Sequence, residues 1–187
     1  MRPFLLVFAL ILVPAVARAQ DAPLFQVRGA FGASHYLHGD LDYTAPAFLL
    51  SMRLGTPAIA IEPEYGFARH QADQAFSSVV NTERRTFQNV GVNIIRRWSG
   101  MASPFVGGGV GMYWEDVHFE TRSPGGNFVS DSTNGPRSGA QAVGGVDVRA
   151  TPWLTIFGQA RYEMRSFQDP GGGSVIQGFG GIAIGMR

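Results

Sequence analysis

Two alternating segments joined by a short connector at residues 150–152 constrain the fold of this chain more than any other feature. They span residues 143–164, and in both of them apolar and polar side chains alternate one by one. This period of two is the pattern of a β-strand, whereas a helix needs a period near 3.6. We therefore predict a β-hairpin with one apolar face and one charged face. The apolar face holds Val146, Val148, Leu154, Ile156, Ala160, Tyr162 and Met164, and the polar face holds Asp147, Arg149, Thr155, Gln159, Arg161, Glu163 and Arg165.

The rest of the chain repeats this unit. Six further alternating runs occupy residues 24–36, 46–55, 58–69, 84–98, 104–119 and 174–187. The connectors alternate in length, with short ones around residues 56, 100 and 151 and longer ones between them. The longest, at residues 70–83 and 120–136, are rich in polar residues, and we predict them as loops. Because proline cannot donate to a β-ladder, we also expect a bulge or a local break near Pro63.

Eight antiparallel strands with short turns at one end and long loops at the other match the layout of an outer-membrane barrel. An even number of strands closes the sheet without leaving an edge. Closure matters because an unpaired backbone group in hydrocarbon costs several kcal/mol. The sequence therefore predicts an all-β fold, an eight-stranded antiparallel up-and-down transmembrane β-barrel with short periplasmic turns and long extracellular loops.

The N-terminus has the form of a secretory signal. A basic start at Arg2 precedes an apolar run and a small-residue cleavage pattern at residues 17–19. We expect a signal peptide at residues 1–19 and a single barrel domain at residues 20–187. The chain has no cysteine, so its stability cannot come from disulfides. All 15 basic residues are arginine, they nearly balance the 14 acidic ones, and the composition gives no indication of nucleic-acid binding or of a cofactor.

Alternation alone does not decide which face points to solvent, because a soluble periplasmic carrier barrel would alternate too. Two features of the polar face favour the lumen of a membrane barrel. It is rich in small residues, which suit a crowded interior, and it carries no lysine, which a solvated exterior would be expected to carry. Its charges are of both signs, and a narrow lumen satisfies such charges by pairing them. The predicted lumenal ion-pair network comprises Arg28, Arg53, Glu62, Glu64, Glu115, Asp147, Arg161 and Glu163.

Aromatic residues near the strand ends support the same orientation, since girdles of aromatic side chains mark membrane interfaces. At the short-turn end the expected girdle consists of Phe25, Trp98, Phe105 and Trp153. At the long-loop end it consists of Tyr36, Phe48, Phe67, Trp114, Phe119 and Tyr162.

The segments 104–111, 145–154 and 159–162 carry a resemblance to a known family. They look like the small outer-membrane β-barrel domain family of opacity-type and outer-membrane-protein-A-like eight-stranded barrels. The resemblance implies a location in the cell outer membrane of a Gram-negative bacterium, contact with its lipids including lipopolysaccharide, and insertion by the barrel assembly machinery. It also implies a surface role in which the extracellular loops contact host or other cell-surface ligands.

Two groups of residues have side-chain types that could serve other chemistry. His35, His38, Asp40 and Asp42 are of the types that bind divalent cations, but their spacing matches no closed metal site. His118 lies near acidic residues and near Ser123, Ser130 and Ser132, although the sequence fixes no nucleophile geometry. We therefore predict a non-enzymatic barrel plugged by ion pairs. A narrow channel for small solutes, a lipid A modifying enzyme and a soluble carrier stay open as alternatives.

Overall fold

The fold is a closed ring of eight β-strands, each antiparallel to its neighbours. The computed structural model describes residues 25–37, 44–168 and 174–186. The predicted signal peptide and the loop residues His38, Asp40 and Asp42 lie outside the described residues. The strands are β1 (Phe25–Tyr36), β2 (Thr44–Gly55), β3 (Ile59–Phe76), β4 (Val79–Arg97), β5 (Ala102–Ser123), β6 (Gly126–Arg149), β7 (Leu154–Met164) and β8 (Val175–Met186).

The ring closes between β1 and β8, whose register runs from Phe25 opposite Met186 to Tyr36 opposite Val175. The predicted hairpin is β6 and β7, and its turn at residues 150–152 is held by the Ala150 and Thr151 amides, which donate to Leu154 O. The predicted all-β, eight-stranded barrel is thus confirmed. In the part of the chain that the structure describes, no helix is long and apolar enough to cross a membrane.

Alternation in the sequence becomes alternation between the outside and the inside of the barrel. On β8, Ile182 and Ile184 are about half exposed on the outer surface, whereas Ala183 between them is completely buried. On β2, Arg53 is 1% exposed between the outward-facing Met52 and Leu54. The outer surface is therefore apolar and the lumen is polar, the arrangement of a membrane barrel and the reverse of a soluble carrier.

Pro63 interrupts one ladder without shifting it. Between β2 and β3 the register pairs Ser51 with Glu64 and Leu54 with Ile61 at the same offset, and no pair is formed between these two. On its other side Pro63 stays opposite Val92 in an uninterrupted ladder with β4. The missing amide donor thus produces the expected local break and not a bulge. A register shift does occur between Tyr113 and Glu115, where β5 meets β6.

The two long polar segments are strands and not loops, which corrects the prediction for residues 70–83 and 120–136. β3 and β4 pair up to Phe76 opposite Val79, and β5 and β6 pair up to Ser123 opposite Gly126. Only tight turns remain, and Ser77 adopts a positive φ of 56° in one of them. A hairpin in water satisfies its backbone by cross-strand pairing and needs no apolar face, so period-two apolar patterning missed these segments.

These extensions rise beyond the other strands as a four-stranded sheet, β3–β4–β5–β6, which we call the outer sheet. Its outward face is mostly polar. His118 Nδ1 lies 2.5 Å from Asp131 Oδ1, Thr133 Oγ1 donates to Asp116 Oδ1 at 2.8 Å, and Arg122 Nε donates to Glu120 Oε1 at 2.7 Å. This face is accordingly built for water and not for lipid.

Candidate functional site

The polar lumen contains the candidate site, and its charges lie at three levels along the barrel axis. At the level nearest the short turns, Asp147 on β6 joins two arginines from the opposite wall. Arg28 Nη2 donates to Asp147 Oδ1 at 3.0 Å, and Arg53 Nη1 donates to Asp147 Oδ2 at 2.7 Å. Glu62 Oε2 accepts from Arg53 Nε at 2.5 Å and lies 3.8 Å from Arg28 Nε. Asp147 thereby links β1 and β2 to β6 across the lumen, and Glu62 joins the same cluster from β3.

Aromatic rings hold the two arginines of this level in place. The guanidinium carbon of Arg28 lies 3.8 Å from the ring centre of Phe157, and that of Arg53 lies 4.4 Å from the ring centre of Phe105. Cations over ring faces are attracted to the ring quadrupole, and more strongly where water is excluded. Phe105 is 1% exposed inside the lumen, so its prediction as a member of the interface girdle is wrong. Its odd position on β5 shares the phase of Tyr113 and not that of outward Val106.

The second level lies deeper in the membrane region and centres on Glu64. Its carboxylate pairs with Arg161 Nη2 and accepts hydrogen bonds from Gln141 Nε2 and Asn93 Nδ2, both at 2.7 Å. Gln141 in turn accepts from the Tyr113 hydroxyl at 3.2 Å. Both carboxylate oxygens of Glu64 thus meet a donor, which is the condition for a buried charge to be tolerated.

Glu163 connects the second level to the outer mouth, which is the end of the lumen opposite to the short turns. Its two oxygens lie 3.5 Å from Arg161 Nη1 and 3.1 Å from Arg165 Nε. Arg165 then stacks over Phe87, with its guanidinium carbon 4.0 Å from the ring centre. At the third level, Arg85 bridges Glu83 at 2.5 Å and Glu115 at 2.9 Å.

The structure therefore divides the eight predicted network residues between levels. Arg28, Arg53, Glu62 and Asp147 meet at the first level, and Glu64, Arg161 and Glu163 meet at the second. Glu115 is separate, because its carboxylate pairs with Arg85 at the partly exposed outer mouth. Sequence reasoning missed Arg97, which is 4% exposed and donates to Thr56 O at 2.6 Å. Its inward phase is hidden by the run Ile95-Arg96-Arg97, in which two arginines are adjacent.

Small residues and rings fill the space between the charges. A Cβ atom built on Gly181 would lie 2.7 Å from Cζ of Phe157, and one on Gly145 would lie 2.6 Å from Cζ of Phe105. These glycines allow the two rings to lie against the barrel wall. At the outer mouth, a cavity of about 20 Å³ is lined by Tyr36, Phe87 and Tyr113 among others, and it has room for about one water molecule.

The arrangement offers little for metal or hydrolytic chemistry. Among the described residues, no group of three or more His, Asp or Glu side chains is placed to hold a metal ion. His118 lies opposite Asp131 on the outward face of the outer sheet, so Ser130 and Ser132, one residue to either side of Asp131, point to the other face. The predicted proximity of His118 and serine therefore does not bring these two serines into a nucleophile–base pair.

Comparison with known proteins gives no match in sequence and clear matches in structure. No protein-family model matches the chain, and no curated protein has a matching sequence. Neisserial surface protein A is 13% identical, with 89% of this chain and 99% of that chain covered and a TM-score of 0.64. The attachment invasion locus protein Ail of Yersinia pestis, solved with the heparin analogue sucrose octasulfate, is 12% identical, with 86% and 97% covered and a TM-score of 0.60.

The chain has the fold of the small eight-stranded outer-membrane β-barrels. The N-terminal barrel domain of OprF from Pseudomonas aeruginosa, 12% identical over 88% of this chain and 98% of that one, has a TM-score of 0.50. The identities are too low to transfer residue roles, so these matches establish the architecture alone. They agree with the apolar outer surface in supporting an outer-membrane location for this barrel, with its polar side chains in the lumen.

Proposed function

We propose that this outer-membrane barrel is a sealed, non-enzymatic anchor that presents the outer sheet at the cell surface for contact with external macromolecules. The observation that carries the proposal is the lumen itself. Ion pairs cross it at the first two levels, and their side chains are almost completely buried there, with Arg161, Glu64 and Glu163 at 0% side-chain exposure. An eight-stranded barrel is just wide enough for side chains to fill, so such a network occupies the path that a channel would need.

The dimensions of the strands support a display role. A transmembrane β-strand needs about 9–11 residues, whereas β5 has 22 and β6 has 24. The surplus of β6 corresponds to roughly 40 Å of strand at about 3.3 Å per residue. A projection of this length extends beyond the bilayer, where it can contact molecules outside the lipid surface. The shared fold with a Yersinia protein named for attachment and invasion favours the same kind of role.

The alternatives are less well supported. A channel would need a continuous water path through the first two levels of the network, where Arg28, Arg53 and Arg161 are each at most 2% exposed. A lipid A modifying enzyme would need a nucleophile beside a base, and Ser130 and Ser132 point to the face of the outer sheet opposite to His118. These features support a structural and surface-contact role.

Display at the surface can be tested with two serines that flank β4. Ser78 lies in the tight turn of the outer sheet, and Ser99 lies in a short turn at the other end of the barrel, and both are exposed. Because the chain has no native cysteine, the variants S78C and S99C each carry one thiol. A membrane-impermeant maleimide should label S78C on intact cells and S99C only after the outer membrane is permeabilised. Labelling of S99C alone on intact cells would reverse the proposed orientation and overturn the proposal.

A further inference from the structure

The lipid-facing surface of the barrel carries one arginine. Arg96 lies on β4 in the outward phase of Val92 and Ile94, and it is exposed, whereas the next residue, Arg97, is buried in the lumen. Among the described residues, Arg96 is the only arginine, aspartate or glutamate at an outward position between the short turns and the outer sheet. A charge at such a position needs a physical account, because the other outward side chains there suit lipid.

The neighbours of Arg96 on the outer surface are apolar. Ile59 on β3 and Val106 on β5 lie opposite it, and both are 51% exposed. On its own strand it is flanked by Ile94 and Trp98, which are 66% and 46% exposed. Its guanidinium forms no ion pair with any residue that the structure describes. Because an uncompensated charge at the edge of hydrocarbon is costly, its countercharge has to come from outside the protein.

The position of Arg96 along β4 places its charge at the membrane interface. Trp98 lies two residues nearer to the short turn, roughly 7 Å along the chain, and tryptophan marks the depth of the lipid headgroups. The Trp98 amide donates to Pro104 O at 3.0 Å, which fixes this residue at the start of the turn. A long arginine side chain lies along apolar surface and carries its charged end to the interface. The guanidinium of Arg96 therefore lies at the level of lipid phosphates.

The short-turn end of the barrel also has an excess of positive charge. Arg97 lies opposite Phe105, the ring that Arg53 contacts, and it adds a third arginine to a level that holds two carboxylates. The short turns at residues 56–58, 98–101 and 150–153 contain no acidic residue. A field of this sign attracts anions. The charge of this end is thus complementary to an anionic headgroup and not to a cationic one.

We propose that Arg96 binds the phosphodiester of an anionic phospholipid of the phosphatidylglycerol class in the periplasmic leaflet of the outer membrane. The choice of leaflet rests on the proposed function, which places the short turns on the periplasmic side. A planar guanidinium donates two parallel hydrogen bonds to phosphate oxygens, and Ile94 and Val106 form an apolar wall for the acyl chains below it. A zwitterionic headgroup fits less well, because its own ammonium group already neutralises the phosphate.

Native mass spectrometry tests the proposal on the full-length barrel, folded in micelles of an uncharged detergent. The probe is phosphatidylglycerol, and the competitor is phosphatidylcholine with acyl chains of a different mass, added at equal concentration; a second run exchanges the chains. We expect the wild-type barrel to retain phosphatidylglycerol with a preference of about fivefold, the effect of one interfacial arginine. Arg96→Gln should abolish this preference. Equal retention of the two lipids by the wild-type barrel, or an unchanged preference in Arg96→Gln, would overturn the proposal.

Arg84→Gln is the matched control for Arg96→Gln. Arg84 is also an outward residue of β4, but it lies on the outer sheet opposite His118, and its Nη2 donates to Gln71 Oε1 at 3.4 Å. Arg84→Gln should keep the preference for phosphatidylglycerol, and an equal loss in both variants would contradict a site at Arg96. Gel mobility of the folded form verifies that each variant is folded. The binding in micelles does not depend on orientation, so its failure is distinct from a reversed labelling result for S99C.

Discussion

Replacement of Asp147 by alanine is expected to destabilise the folded barrel by about 3–5 kcal/mol, the cost of leaving a buried charge without its partner. Asp147 is the carboxylate that joins Arg28 and Arg53 at 3.0 and 2.7 Å, and its side chain is 8% exposed. Without it, two adjacent guanidiniums share Glu62 alone. The free energy of unfolding can be measured by urea titration of the barrel in lipid vesicles, followed by tryptophan fluorescence and by the gel mobility of the folded form.

The matched control for Asp147→Ala is Glu120→Ala on the outer sheet. Glu120 accepts from Arg122 Nε at 2.7 Å, the same distance as the Asp147–Arg53 contact, but Arg122 is 66% exposed. This hydrogen bond from Arg122 holds the pKa of Glu120 below its ordinary value, so Glu120→Ala removes an ionised group at neutral pH. We expect a barely measurable change for Glu120→Ala, because water and salt screen an exposed pair. Equal effects of the two substitutions would show that the lumen is solvated and not sealed.

Replacement of Ile182 by arginine is expected to destabilise the membrane-folded barrel by roughly 2–4 kcal/mol. Ile182 lies near the middle of the membrane-spanning part of β8 and is 54% exposed on the apolar outer surface. An arginine there must be accommodated in hydrocarbon, whereas the isoleucine contacts lipid favourably. The same urea titration in vesicles gives the free energy of unfolding.

Val129 provides the control for Ile182→Arg. It is also β-branched and outward-facing and is 53% exposed, but it lies on the outer sheet, opposite Glu120. Val129→Arg should change the free energy of unfolding by no more than about 0.5 kcal/mol, as is usual for surface substitutions in water. A neutral Ile182→Arg would mean that the apolar face does not contact lipid, and the assignment of the two faces would be wrong.

The sequence predicted the barrel because each membrane-spanning strand has one face toward lipid and the other toward the polar lumen. Outward residues such as Ile156 and Ile182 contact lipid and inward residues such as Arg161 contact other polar groups, so the period of two is strict. The short turn at residues 150–152 was predicted for the same reason, since both flanking runs keep their phase up to it.

The outer sheet could not be predicted in this way, because neither of its faces is required to be apolar. Segments such as residues 126–134 pair through their backbone, and that pairing leaves no trace in the hydropathy pattern. The tilt of the strands and the stagger between them set which inward residues share a level. Alternation could therefore place Glu115 on the inner face, but it could not show that Arg85 and not Arg161 is its partner.

Phe105 and Arg97 illustrate a further limit of the sequence pattern. An aromatic residue near a strand end is as compatible with a cation–π contact in the lumen as with a membrane girdle, and Phe105 makes the former with Arg53. Arg97 is preceded by another arginine, so residue type does not reveal which of the two points inward. Only the register between β4 and its neighbours decides these positions.

Single-channel recording in planar lipid bilayers tests the sealed lumen most directly. The purified wild-type barrel, inserted from detergent at a concentration at which a porin gives regular steps, is expected to produce a flat current trace. Insertion should be verified in parallel by co-flotation of the barrel with vesicles of the same lipid. Reproducible conductance steps from the wild-type protein would show a continuous water path past Asp147 and Glu64, and they would contradict the plug formed by these ion pairs.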